Sequence, residues 1–287
     1  HQCKAKERIV PGANRSGKTL VAAVEVARAV TGQDPYGKYP LRDGRVVCVG
    51  MNKRAIGEVL WRKLGKPGAF LIIRDQVTNA WRAYRPWDAW DAANWKLARP
   101  ASPLIPERFI QSVAWEDRKE EVPSVITMKT GWEIIFASSM GAPFQGIDVN
   151  MVWLDEELGN PQWYTEMLGR LLDRRGLFVW SATPQLATEH FHHLHERAEE
   201  GDPNVREFTM VLNDNPHVPE EEKINFARSM SPEEARVRIG GEFAIEQYSV
   251  FPEFNIDRHG ISDFPIPADW TKFMMVDPGT GVCAVLF

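Results

Sequence analysis

Near the start of the chain, Gly12-Ala13-Asn14-Arg15-Ser16-Gly17-Lys18-Thr19 has the spacing of a Walker A phosphate-binding loop: a glycine, four residues, then Gly-Lys-Thr. Glycines let the backbone curl so that successive N–H groups point at phosphate oxygens, at a helix N-terminus whose dipole favours anions. Lys18 is placed to reach the β and γ phosphates and the Thr19 hydroxyl to ligate magnesium, so ATP and Mg2+ are the expected nucleotide and metal. A second pattern, Asn150-Met-Val-Trp-Leu-Asp155-Glu156-Glu157, is an apolar run ending in acids, as in a Walker B strand. Burial fixes such a strand while Asp155 emerges at its carboxyl edge to hold the magnesium shell. Either Glu156 or Glu157 is suited to polarise water for attack on the γ phosphate, and adjacency to Asp155 favours Glu156. Alone, these acids would serve equally well at a helix N-terminus. A third pattern, Ser181-Ala182-Thr183-Pro184, follows another apolar run. Small hydroxyl residues there can bond the γ-phosphate region and pass its loss to a moving segment, although in isolation the four residues are an ordinary turn.

These groups need a scaffold that brings strand ends side by side. Short apolar runs alternate with helical stretches, which reads as α/β with a mainly parallel sheet flanked by helices. Arg8–Val10 and Arg45–Val49 read as strands, followed by helices over about Lys18–Val30 and Asn52–Leu64. Two β-rich runs between Val125 and Ser138 flank Lys129-Thr-Gly131, a hairpin signal. Asn150–Leu154 and Leu177–Trp180 are buried strands on either side of a helix over Gln162–Arg174. Ser231-Pro-Glu-Glu234 combines an N-cap serine, a first-turn proline and a capping-box glutamate, and opens a helix that runs to about Ile239 and stops at Gly240-Gly241. Proline-punctuated residues from Tyr248 to Asp269 read as a linker. Apolar runs at Phe273–Val276 and Val282–Phe287 then flank Asp277-Pro-Gly-Thr-Gly281 as strand, turn and strand.

Composition narrows the function classes. The 287 residues are 44% hydrophobic, ample for a buried core, which excludes disorder as the main state. Cys3, Cys48 and Cys283 lack the paired spacing of a zinc site or redox dithiol, and a reduced cytosolic chain is expected. No apolar run approaches the roughly 18 residues of a membrane span, and no signal pattern opens the chain. The chain starts at His1 and stops inside an apolar run, as a piece of a longer protein would. The net charge of -5 divides into +8 over residues 1–150 and -13 over 151–287. The whole positive excess lies between Lys38 and Arg108, a stretch that also holds Trp81, Trp87, Trp90 and Trp95. Its cations suit nucleic-acid phosphates, with the tryptophans mainly packing an insertion; solvated cations over a tryptophan core is the equal alternative, and stacking on single strands a third.

In order along the chain, the segments resemble a known family, the large subunit of the bacteriophage terminase. They are Gly12–Thr19; Phe144-Gln-Gly146 with Val152-Trp-Leu-Asp-Glu-Glu157; Ser181-Ala-Thr-Pro184; Asp214-Asn-Pro216; Gly241-Glu-Phe243 with Val250-Phe251; and Val276-Asp277-Pro-Gly279. The resemblance implies a P-loop ATPase domain of the RecA-like (ASCE) class over 1–247, a linker over 248–270, and the start of an RNase H-like nuclease domain over 271–287. It implies ATP-driven movement of double-stranded DNA into a viral procapsid, in the cytoplasm of an infected bacterial host. The partners it implies are double-stranded DNA, a portal protein, a small terminase subunit and further copies of the chain in a ring, with no membrane. Gln2 stands where the family often carries a glutamine that reads adenine. Asp277 would be the first metal-binding acid of the nuclease. Its companions would lie beyond Phe287, so metal-dependent cleavage is expected only of the full-length protein. Related terminases often place an arginine finger where Gln145 stands here; Arg170, Arg174, Arg175 or, within the loop itself, Arg15 are the substitutes the chain offers.

Other constellations carry less. His190-Phe-His-His-Leu-His195 has histidines three apart but no carboxylate or cysteine in a known metal pattern, and reads as a histidine-rich surface helix. Glu196, Glu199 and Glu200 read as a solvated face, and Glu220–Glu222 as a helix first turn. A helicase is the nearest rival, but the chain after Pro184 shows no second RecA-like domain. A non-catalytic assembly protein would not need Lys18, Thr19, Asp155 and Glu156 intact, and a stand-alone nuclease would need more acids after Asp277.

Overall fold

The computed structural model describes residues 1–143, 146–185, 189–243, 260, 267, 269–271, 275–278 and 283–286. The position of Gln145, Val250-Phe251 and most of the linker span lie outside the described residues. The chain divides into two compact units, His1–Ile245 and Glu246–Phe287.

The first unit runs β1 (Glu7–Pro11), α1 (Lys18–Val30), β2 (Arg45–Gly50), and a continuous helical stretch made of α2 (Lys53–Ala55), a π-helical segment (Ile56–Trp61) and α3 (Arg62–Gly65). A small insertion follows: β3 (Leu71–Arg74), β4 (Trp81–Ala83), α4 (Ala89–Ala93) and β5 (Arg99–Pro100). Then come β6 (Ile110–Asp117), β7 (Val122–Met128), β8 (Glu133–Ser138), β9 (Met151–Asp155), α5 (Gln162–Leu171), β10 (Leu177–Ala182), α6 (Glu189–Glu199), β11 (Val205–Glu207), α7 (Glu220–Arg228) and α8 (Pro232–Arg238).

Eight strands form one sheet in the order β11-β1-β10-β9-β2-β8-β7-β6. Pairing is parallel from β11 to β8, and the β8-β7-β6 edge is antiparallel. Both faces of the central strands are covered, so these read as unbroken apolar runs rather than alternating ones. Their side chains still alternate between two cores. Val46, Cys48, Met151 and Trp153 join α1 and the α2–α3 stretch, whereas Val47, Val49, Val152 and Leu154 join α5 and α6. Trp132, Trp153, Trp163 and Trp180 are fully buried in these cores.

Local expectations and structure differ in three places. The helix after β2 has a π-helical middle, where a wider turn keeps residues four to five apart on one face; Ile56, Leu60, Trp61 and Leu64 are all buried. The helix after β9 stops at Leu171, because Arg175 turns left-handed (φ 49°) and the Gly176 N–H bonds back to the Leu171 carbonyl. The tryptophans of the basic stretch do not form an insertion core: Trp81, Trp87 and Trp95 are exposed, and Trp90 is half-buried. A sheet of two- to four-residue strands is too small to cover indoles, and a polar cluster holds it instead. Asp91 is buried there and takes paired bonds of 2.7 Å from Arg82 and one from the Arg85 N–H.

The Ser231 side chain accepts the Glu234 N–H at the start of α8, and α7 opens on Glu220. Along α6, His190 stacks on Tyr164, while His195 stacks on Phe243 and bonds Glu207. Glu199 is exposed beside them. In the second unit β12 (Met275–Pro278) pairs antiparallel with β13 (Cys283–Leu286), which puts Asp277 opposite Ala284 in the register. Among the described residues no helix is long and apolar enough to cross a membrane.

Candidate active site

The sheet order decides which residues meet. β10 lies between β1 and β9, so the turn after β10 sits between the loop after β1 and the acids after β9. The register pairs Val10 with Ser181 and Ser181 with Asp155.

Asp155 is buried at the end of β9. It accepts a hydrogen bond from the Ser181 hydroxyl (2.6 Å), and the Thr19 side chain is near enough to pull its pKa down. Burial, with the neighbouring Glu156 charge, pushes its carboxyl up to about 6, against the pull of Ser181, Lys18 and Thr19. The Ser181 hydroxyl is oriented from behind, because the Trp153 indole N–H donates to it at 2.9 Å.

Glu156 is held in a left-handed conformation (φ 64°) that an ordinary side chain avoids. Its N–H donates to the Ser181 carbonyl (2.7 Å), and its carbonyl accepts the Trp180 indole N–H (2.9 Å). The half-exposed carboxylate bridges two of the other motifs. One oxygen pairs with Lys18 Nζ at 3.0 Å, and the other accepts the Thr183 N–H at 3.1 Å. Thr183 also reaches Asn14 at 3.4 Å. Ala182 contributes backbone, its carbonyl accepting the Gly12 N–H.

The loop between β1 and α1 is braced from outside. The Ala13 and Asn14 N–H groups bond the Met210 and Arg238 carbonyls. Gly241 (φ 69°) presses against it so closely that a Cβ there would lie 3.1 Å from the Gly12 Cα and the Ala13 nitrogen. Ser16 turns back on Ala13, Gly17 at φ 99° leads into α1, and Arg15 is exposed at φ 62° with its carbonyl bonded by Asn215 Nδ2. A 540 Å³ cavity opens over Lys18 and Thr19, lined also by Arg15, Lys63, Tyr84, Trp87 and Asn215. A larger cavity, 760 Å³, lies by Trp61 and β6, away from these groups.

The structure thus brings Lys18, Thr19, Asp155, Glu156, Ser181 and Thr183 together. Gln2 is exposed and does not line the cavity. Arg170 pairs with Glu166, Arg174 bonds Asp148, and Arg175 is exposed. A buried carboxylate bonded to a hydroxyl, beside a phosphate loop, is the hard-oxygen set magnesium takes with phosphates completing its shell. Asp155 is buried at this end of β9 with Glu156 beside it, and a bound cation would offset both the burial and that like charge, so the residues fit the metal. The roles of Trp153, Trp180, Met210 and Gly241 were not read from the sequence, although a buried indole N–H always needs an acceptor.

The sequence profile described as "Terminase large subunit, T4likevirus-type, N-terminal" matches residues 9–258. The chain belongs to this family. Among solved structures, the large terminase ATPase domain of Thermus phage P74-26 is 14% identical over 85% of this chain and 90% of that one, with a TM-score of 0.53. The large terminase from a thermophilic bacteriophage, in complex with ATP-gamma-S, is 14% identical over 96% of this chain, with a TM-score of 0.52. This chain covers 57% of that second protein. At such identity the likeness is one of fold, and it agrees with the mainly parallel, helix-flanked sheet of a terminase ATPase domain. No curated protein sequence matches the chain.

Proposed function

We propose that this terminase chain hydrolyses ATP and that the full-length protein uses the energy to move double-stranded DNA into a viral procapsid. The observation that carries the reading is the Glu156 carboxylate, shared between Lys18 and the Thr183 N–H. Lys18 and the N–H groups of Gly17, Lys18 and Thr19 at the start of α1 bind the phosphates, with Gly12 to Thr19 shaping the cradle. Asp155 and Thr19 would hold Mg2+, which when bound neutralises charge on the β and γ phosphates. A γ phosphate on Lys18 competes with Glu156 for the same ammonium. Released from that pair and still tethered to Thr183, Glu156 is free to orient water and accept its proton. Loss of the γ phosphate restores the Glu156–Lys18 pair and pulls on Ser181–Thr183, which gives hydrolysis a mechanical output.

Residues 1–247 act in this reading as the motor, 248–270 as the linker, and 271–287 as the start of an RNase H-like nuclease with Asp277 as its first acid. The partners proposed are double-stranded DNA, a portal protein, a small terminase subunit and further copies of the chain. The exposed cations of the insertion, Arg74 and Arg99 stacked on Trp81, suit DNA phosphates. ATP turnover measured with and without duplex DNA tests the motor reading: DNA is expected to raise turnover in the wild type and leave Glu156→Ala inactive. Equal turnover in the two proteins, or none in either, would overturn it.

A further inference from the structure

We infer that Lys63 is a further phosphate-binding residue of this site, contacting the terminal phosphate of a nucleoside triphosphate. The proposal rests on the ATPase reading above and adds a residue that no motif in the chain points to. Lys63 belongs to α3, at the end of the helical stretch after β2. Leu60, Trp61 and Leu64 of that stretch are buried in the same core as Ala22, Ala23 and Val26 of α1, so α3 runs beside the helix that carries the phosphate loop. The π-helical segment just before it resets the phase of the helix, and Leu64 goes into the core while Lys63 turns to the cavity over Lys18 and Thr19.

The electrostatics of that position are unbalanced. Among the described residues, Lys18 is matched by Glu156, Lys38 by Glu25 and Lys223 by Glu220. Lys63 is half-buried and has no ion-pair or hydrogen-bond partner among the described residues. Burial pushes its ammonium pKa down, as do the charges of Arg15 and Lys18, and Asp155 offsets this only in part. The described cavity wall carries three cationic side chains, Arg15, Lys18 and Lys63, and of these Lys18 is paired with Glu156 until a phosphate competes for it. Three converging cations around a helix N-terminus fit a polyanion better than any neutral ligand. Lys63 lies within electrostatic reach of both Lys18 and Asp155, the residues assigned above to the γ phosphate and its metal, so the terminal phosphate is the one it would meet.

The test compares ATP-gamma-S and ADP, each with Mg2+, on the full chain. Lys63→Gln and Lys63→Met are expected to weaken ATP-gamma-S binding about tenfold, the size of one hydrogen bond to a charged group, and to leave ADP within about twofold. Lys63→Arg is expected to restore the preference. Equal loss for both nucleotides would show a merely structural lysine, and no loss would show one that touches neither; either overturns the proposal. Amine labelling of the wild type, read by mass spectrometry, does not depend on a variant folding. Lys63 is expected to be protected by ATP-gamma-S and not by ADP. Protection by duplex DNA alone overturns the proposal, as does normal nucleotide binding with Lys63 unprotected. A wild type that binds neither nucleotide overturns the ATPase reading along with it.

Discussion

The end of the large sheet and the small insertion beside it hold charged groups in opposite ways. At the sheet end, Asp155 is buried among the ends of long parallel strands, with Trp153 and Trp180 behind it setting Ser181 and Glu156. In the insertion Trp81, Trp87 and Trp95 are outside and the charge is the core: Asp91 is buried and held by Arg82 and the Arg85 N–H. A large apolar core makes a preorganised site. A three-stranded sheet with a polar centre holds its shape through Arg82, paired with both Asp91 and Asp75, and leaves indoles and cations on its surface to meet something else.

That contrast can be broken in the sheet first. Glu25 on α1 is buried against Arg8, Lys38 and the Tyr39 hydroxyl. Burial alone would raise its carboxyl, but Arg8 and Lys38 outweigh it and hold the group below its ordinary value of 4.5. Glu25→Gln leaves Arg8 in the core without its carboxylate and Lys38 with the longer Asp34 contact, and is expected to cost about 3–5 kcal/mol in urea unfolding at pH 7. Because the folded carboxyl titrates below the unfolded one, the gap from wild type is full above pH 4.5 and closes as pH falls further.

Arg82→Ala should act more locally. It leaves the Asp91 carboxylate buried with its main donor gone, at a cost of about 2 kcal/mol to the insertion. Faster proteolysis and amide exchange between residues 67 and 109, with little change in the main melting transition, is the expected outcome. A main transition lowered as far as by Glu25→Gln would mean that the insertion is not a separate unit. Trp87→Ala should matter least to the fold, within about 0.5 kcal/mol of wild type in the same unfolding measurement. A cost like that of a buried tryptophan would show that the exposed indoles do pack in solution.

The same contrast explains what was legible in the sequence. The phosphate loop, the apolar runs of β9 and β10, and the Ser231 cap are local patterns in which each residue's reason lies within about eight positions of it. The flanked parallel sheet followed from how those runs alternate with helices. Residues whose partners are distant left no such trace. Gly241 is pressed on the phosphate loop, which lies at the other end of the first unit's sequence. Trp81, Trp87 and Trp95 share a residue type with Trp132, Trp153, Trp163 and Trp180, and only the size of the sheet beneath them separates the exposed set from the buried one. Lys63 faces the cavity because a π-helical segment shifts its phase, and helical spacing alone does not show that shift.

The assignment of Glu156 as the group that activates water is tested most directly by single-turnover hydrolysis in Glu156→Gln, with ATP binding measured on the same protein. The amide keeps the size of the side chain and can still bond the Thr183 N–H, but it cannot take a proton. ATP is expected to bind within a fewfold of wild type, while the chemical step slows by about a hundredfold or more. Hydrolysis at the wild-type rate with normal binding would contradict the assignment and place the base elsewhere.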